Sequence, residues 1–145
     1  MSFEVLAAQG KTRQYENLAA SVGPRIREIR KQFVRDSFRG LQQVEHRLEL
    51  VATIQGMEFI NDSRSSNINS TWFALDNYYQ PMIWIVGGIE NGNDYSTVMD
   101  LVRNKVRKII CLGVDNTRII EAFNSTGIPV CTTTSMEEAV HEAYC

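Results

Sequence analysis

Long apolar runs are missing from this 145-residue chain. A membrane-spanning helix needs about 20 such residues in a row, so no span is expected. Histidine is scarce, with His46 and His141 far apart, which argues against a zinc site. The three cysteines, Cys111, Cys131 and Cys145, are odd in number and show no Cys-x-x-Cys spacing, so neither a disulfide framework nor a metal knuckle is expected. Two of them lie in apolar runs, where cysteine behaves as a small buried hydrophobe, and a reducing cytoplasm is the expected setting. Excess charge of either sign is missing too. A net charge of −2 provides no basic footprint for nucleic acid and no charged tail. The opening Met1-Ser2-Phe3-Glu4 lacks the charged and apolar regions of a secretory signal.

What is present is the composition of an ordinary globular domain, 43% hydrophobic and 22% charged. The first forty residues read as helical. Asn17 to Val22 is a short apolar stripe, and Gly23-Pro24 forces a helix to end or restart. Ile26, Ile29, Phe33 and Val34 then recur at helical spacing, with Arg and Lys opposite. The composition changes near Gly40. From Leu48 the pattern alternates strands with helices. Leu50 to Ile54 and Met57 to Ile60, joined by Gln55-Gly56, predict a hairpin. Asn69 to Tyr79 reads as a helix. Met82 to Val86 is a continuous apolar run, as expected for a central parallel strand buried on both faces. Ser96 to Lys105 reads as a helix, Lys108 to Leu112 as a second buried strand, Asn116 to Phe123 as a helix and Ile128 to Cys131 as a short strand. Ser135-Met136-Glu137-Glu138 is a capping box that opens a last helix to Tyr144. The expected fold class is α/β, a Rossmann-like mostly parallel sheet with flanking helices, preceded by a short helical segment.

In such sheets ligands bind beyond the carboxyl ends of the strands. Two loops lie there. Asn61-Asp62-Ser63-Arg64-Ser65-Ser66-Asn67 brings a carboxylate, hydroxyls and a guanidinium into a strand-to-helix turn. Ser66 or Asn67 can cap the next helix, whose free amides could bind an anion beside Arg64. The same residues also make an ordinary well-capped polar turn. Gly87-Gly88-Ile89-Glu90-Asn91-Gly92-Asn93-Asp94 is glycine-rich but lacks the Gly-x-Gly-x-x-Gly order, so it can equally be a tight turn. Gly10-Lys11-Thr12 imitates the end of a phosphate-binding loop, but Val5 stands where that loop needs glycine. His46-Arg47-Leu48-Glu49 could hold a ribose or phosphate, or form a surface ion pair of little consequence.

Val44-Glu45-His46-Arg47-Leu48-Glu49, Phe59 through Asn67, and Ile85-Val86-Gly87-Gly88 with Gly92-Asn93-Asp94-Tyr95 together resemble, in order and spacing, the C-terminal domain of Mur ligases of the D-glutamate-adding type. Ser135 to Val140 fits the same pattern, and Gln9 to Phe38 resembles the end of that family's central domain. The resemblance implies a helical tail end of the central ATP-binding domain over 1–43 and a truncated C-terminal domain over 44–145. It implies a cytoplasmic role in peptidoglycan-precursor synthesis, with ATP and Mg as cofactors of the full-length family. Its substrates would be UDP-muramoyl-alanine and D-glutamate. Arg47, Asp62 and His46 would face the nucleotide. Arg64, Ser66, Asn67 and the residue at position 91 would face the incoming amino acid.

Departures from the family pattern shape the expectation. Arg64-Ser65-Ser66-Asn67 replaces Lys-Ala-Thr-Asn, and Glu90-Asn91-Gly92 replaces Asp-Lys-Gly, so Asn91 offers a neutral donor where the family has a charged one. Thr12-Arg13 and Glu16 replace the family's asparagine-bearing segment. The phosphate-binding loop, the metal ligands and the final Ser-Pro-Ala-x-Ala-Ser segment are not in the chain. The expectation is therefore a C-terminal domain fragment, inactive alone and holding no cofactor tightly, whose partners are the missing ligase domains. The alternative is a non-catalytic nucleotide- or partner-binding relic. The stripe Ile26, Ile29, Phe33 is expected to drive self-association or docking of this helical segment back on the sheet domain.

Overall fold

The computed structural model of the protein describes residues 24–36, 45–88 and 92–144. The chain divides into two compact units, Met1–Gly40 and Leu41–Cys145. In the first unit, helix α1 (24–36) begins at Pro24. Proline suits a first helical position, because its missing N–H would have no helical partner there. The restart expected at Gly23-Pro24 is thus a helix start, and Ile26, Ile29 and Phe33 are exposed along it. The expected stripe from Asn17 to Val22 lies outside the described residues.

The second unit opens with a hairpin, β1 (Glu49–Ile54) and β2 (Met57–Asn61). Ile54 pairs with Met57, leaving the two-residue turn Gln55-Gly56, and both turn residues have positive φ, 52° and 82°. That is the turn whose twist matches paired strands. The register slips between Leu50 and Ala52, so Val51 bulges outward and is exposed. Next come α2 (Ile68–Asn77), β3 (Met82–Gly87), a 3₁₀ turn (Tyr95–Thr97), α3 (Met99–Lys105) and β4 (Val106–Leu112). The chain continues through α4 (Thr117–Phe123), a second 3₁₀ turn (Asn124–Thr126), β5 (Val130–Thr133) and α5 (Met136–Tyr144).

The α/β class is as expected: β3, β4 and β5 form a parallel sheet in that order, flanked by helices. Two details differ. First, the hairpin does not join this sheet but stands as a separate two-stranded one. A two-residue turn lets β1 and β2 satisfy each other's backbone groups locally, and alternation of apolar residues does not reveal which sheet a strand joins. Second, the central strand is β4, where Ile109, Ile110 and Cys111 are wholly buried; β3 lies at an edge of the sheet and leaves Ile83 exposed. Both strands read as apolar runs, and only the order of pairing separates them.

The core gathers Val98, Val102, Val106, Ile109, Ile110 and Phe123, none with measurable exposure above 1%. Trp72, Phe73 and Leu75 of α2 are buried, and α2 packs on α3. Ser135 caps α5 by accepting the Glu138 N–H at 3.2 Å, while the Glu138 carboxylate reaches back to the Thr134 N–H at 2.9 Å. The capping box thus closes one residue earlier than its usual form. Lys108 of β4 ties α5 down through Glu142, donating to its carbonyl at 2.6 Å and pairing with its carboxylate at 3.0 Å.

Lys105 closes the far end of α2. Its ammonium donates to the carbonyls of Leu75, Asp76 and Tyr78 at 2.8, 3.0 and 2.6 Å and sits 5.3 Å from the centre of the Tyr79 ring. These carbonyls belong to the helix end that has no internal partners. Lys105→Met keeps the aliphatic stem and removes all three bonds, so a loss of about 2–3 kcal/mol is expected from the charged hydrogen bonds. Urea unfolding would show it as a lower midpoint at unchanged slope, and an unchanged midpoint would refute the role.

Candidate functional site

The residues from Glu45 to Leu48 form a strained turn. His46 and Leu48 have φ of 61° and 48°, a region uncommon for residues with a side chain and costly for leucine. The segment is held there by the loop after β2. The Arg64 N–H donates to the His46 carbonyl at 3.2 Å, and the Leu48 N–H donates to Asp62 Oδ1 at 3.1 Å. Between the two left-handed residues, Arg47 is buried, and its guanidinium donates to the Arg64 carbonyl at 3.3 Å. Asn61 Nδ2 donates to His46 Nδ1 at 3.0 Å in the tautomer that leaves this nitrogen unprotonated, and the Glu49 carboxylate accepts the His46 N–H at 3.0 Å. The Ser65 hydroxyl donates to Asp62 Oδ2, and the Ser65 N–H to the Asp62 carbonyl at 2.9 Å. The two short segments are one clasp.

The clasp brings together four residues singled out from sequence, His46, Arg47, Asp62 and Arg64. Their postures differ. Asp62 uses both carboxylate oxygens inside the clasp and Arg47 lies beneath it, whereas Arg64 and Ser66 are exposed. Burial first, and then the carboxylates of Glu58 and Asp62, push the nearby Tyr78 phenol above its ordinary range, so it stays neutral at physiological pH.

Asn67 is the N-cap of α2: its Oδ1 accepts the Ser70 N–H at 3.0 Å and the Ser70 hydroxyl at 3.2 Å. The Ile68 N–H is taken by Asn93 Oδ1, at 3.2 Å, from the glycine loop. The expectation that the α2 N-terminus offers free amides to an anion is therefore corrected at Ile68 and Ser70, because protein oxygens already fill those positions. Asn67→Ala is expected to cost about 1 kcal/mol, the usual loss for a cap, with Asn67→Asp restoring it. Urea unfolding of the two variants checks this, and equal midpoints for them would refute it.

In the second loop, Gly88 and Gly92 have φ of 115° and 72°. Asn91 lies outside the described residues. Asp94 accepts the Ser96 N–H at 3.1 Å, and the Tyr95 ring meets Phe123 edge-on at 5.5 Å.

Sequence reasoning missed two features. Asn93 stood inside a quoted motif without a role, because its partner is 25 residues away. A shallow cavity of about 340 Å³ lies past the ends of β4 and β5, lined by Gly113, Asp115, Asn116, Thr117, Thr133 and Thr134 among others, and none of the residues singled out from sequence borders it. A polar run directly after the most buried strand was the available signal. The exposed Asp115 carboxyl is held below its usual range by the Thr117 N–H. Burial, with Cys131 nearby, pushes the Cys111 thiol up, which keeps it a protonated, inert core group. Among the described residues no group of three His, Cys, Asp or Glu side chains is placed to hold a metal ion, and no helix is long and apolar enough to cross a membrane.

The parallel sheet with flanking helices places the chain in the open-sheet α/β class, where ligands bind beyond the carboxyl ends of the strands. The relatives specify it further. The chain is 45% identical over 139 residues to the UDP-N-acetylmuramoylalanine--D-glutamate ligase of Christiangramia forsetii, covering 96% of this chain and 31% of that protein. It is 40% identical over 145 residues to the ligase of the same name from Bacteroides fragilis, and 35% identical over 144 residues to that from Porphyromonas gingivalis, covering 99% of this chain each time and 33% and 32% of those proteins. No family model matches. Over nearly its whole length the chain is similar to the C-terminal part of these ligases, and it spans about a third of the length of the relatives it matches.

Proposed function

We propose that the chain supplies the C-terminal, substrate-facing part of an ATP-dependent ligase that joins D-glutamate to UDP-N-acetylmuramoyl-alanine, and that it does not ligate by itself. The observation that carries this is the clasp, a rigid polar loop that leaves Arg64 and Ser66 exposed at a strand end. An exposed guanidinium beside a hydroxyl suits the carboxylates of an acidic amino acid. Arg47, buried beneath the clasp, and Asp62, with both carboxylate oxygens engaged in it, support at most one wall of a nucleotide site from behind, and His46 stands at its rim. The residues described here do not fit a complete nucleotide and magnesium site, so ATP, Mg and the UDP-linked substrate are assigned to the assembled ligase together with its other domains. A cytoplasmic setting accords with those substrates.

Phosphoryl transfer depends on positioning and on charge neutralisation from several sides. One wall open to water gains little, because electrostatic stabilisation is strong in closed, dry sites. The purified 145-residue chain is expected to bind ATP with a Kd of about a millimolar or weaker, about 4 kcal/mol or less. Calorimetry with ATP and with D-glutamate, beside a phosphate-release assay, tests this. Phosphate release that requires both D-glutamate and the muramoyl-alanine substrate would overturn it. Asn91, neutral where the family has lysine, favours a second reading, a binding relic that has lost the reaction. Asn91→Lys separates the two: tighter D-glutamate binding favours the ligase part, and no change favours the relic. The exposed stripe Ile26, Ile29, Phe33 supports self-association, which a monomer in sedimentation at high concentration would refute.

A further inference from the structure

The clasp loop follows β2 of the hairpin, and the glycine loop follows β3 of the parallel sheet, so the two loops rise from different sheets. A hydrogen bond joins their ends across 25 residues, from the Ile68 N–H to Asn93 Oδ1 at 3.2 Å. Its location is informative on both sides. Ile68 is the first residue of α2, directly after the cap Asn67, which itself follows Arg64, Ser65 and Ser66. Asn93 stands between Gly92, whose left-handed φ is one that glycine adopts without steric cost, and Asp94, which is anchored by its own turn. A side chain that reaches from beside Gly92 to a helix amide fixes the direction of the chain at that point.

We propose that Asn93 is a positioning residue for the acceptor amino acid: it fastens the segment Gly92–Asp94 to the N-terminus of α2, so that this segment and the clasp loop present one preorganised surface. The ligand half of this inference rests on the function proposed above; the latch does not. An open site must order its loops when ligand arrives, and a fastened one has met that cost beforehand. The bond also uses the helix's first amide, which would otherwise turn to water, so its loss loosens α2 at the end that carries the clasp.

The test uses ¹⁵N-labelled 145-residue protein as it stands, with Asn93→Ala and Asn93→Asp variants. Amide exchange and D-glutamate titrations are followed by NMR. In Asn93→Ala, exchange at Ile68 is expected to rise about tenfold, the scale of losing one cap bond, while Ile109 and Ile110 in β4 keep their protection. D-glutamate is expected to shift amides of both loops in the unmodified chain and to bind about tenfold more weakly in Asn93→Ala, as a preorganised site loosens. Asn93→Asp is expected to restore both readouts, because a carboxylate accepts the same bond and suits a helix N-terminus. Unchanged exchange at Ile68 in Asn93→Ala, or failure of Asn93→Asp to restore it, overturns the latch. Equal D-glutamate binding in the unmodified and Asn93→Ala chains overturns the positioning role alone. Absence of any D-glutamate shift in the unmodified chain overturns the proposed function, and with it the ligand half, while the exchange result at Ile68 still decides the latch.

Discussion

Phe123→Ala is expected to lower the unfolding free energy by about 3–5 kcal/mol, the range for emptying a buried aromatic site. Phe123 ends α4 with no exposure, and two rings meet it edge-on: Trp84 of β3 at 5.6 Å and Tyr95 at 5.5 Å. Such pairs add about 0.5–1.5 kcal/mol beyond the area they bury. Domains of this size are stable by about 5–15 kcal/mol, so the truncation removes a large share. It also withdraws support from the base of the glycine loop, because Tyr95 follows Asp94 directly. Phe123→Leu keeps most of the volume and is expected to cost much less. Urea unfolding of the two variants is the check, and equal losses would show that volume alone does not account for the role of the ring.

Much of the α/β order was readable because each element carries its own local signal. Ile109, Ile110 and Cys111 sit in an uninterrupted apolar run, and Gln55-Gly56 sits between two alternating segments. Ser135 and Glu138 stand at capping spacing. Neighbour relations are different. Nothing in the composition of Met82 to Val86 separates an edge strand from a central one, and nothing in Leu50 to Ile54 says that the hairpin pairs only with itself. Those facts reside in hydrogen bonds between strands distant in sequence.

The site divides in the same way. Asn67 as a helix cap could be read directly, since a cap acts within three residues. Arg47 was recognisable as a residue of interest, but its burial beneath the Arg64 carbonyl follows from the left-handed turns at His46 and Leu48, residues that give no hint of positive φ. Asn93 could not be assigned at all, because its partner is a backbone amide, and every residue except proline has one.

Gly87→Ala is expected to be the most damaging alanine substitution among the described glycines, and for a reason unconnected with glycine's freedom. Gly87 ends β3 and pairs with Leu112 of β4 in the parallel ladder. A Cβ built there would lie 1.7 Å from the Leu112 carbonyl oxygen and 2.7 Å from its carbon. Those are backbone atoms of the most buried strand, so no rotamer change can clear them. The strands must part at the end of the sheet that leads into the glycine loop, breaking ladder bonds and exposing core residues. A loss above about 4 kcal/mol is expected, the size reserved for a few named defects such as a core overpacked against backbone. In a domain of about 100 residues each kcal/mol shifts Tm by about 4–8 °C, so a fall of about 16 °C or more should appear in thermal unfolding followed by circular dichroism. Gly56→Ala is the contrast. Gly56 has φ of 82° with nothing within 4 Å of a built Cβ, so its cost is the left-handed backbone alone, about 1–2 kcal/mol. Equal Tm shifts for the two variants would mean that β3 and β4 do not approach at Gly87 as closely as this register requires.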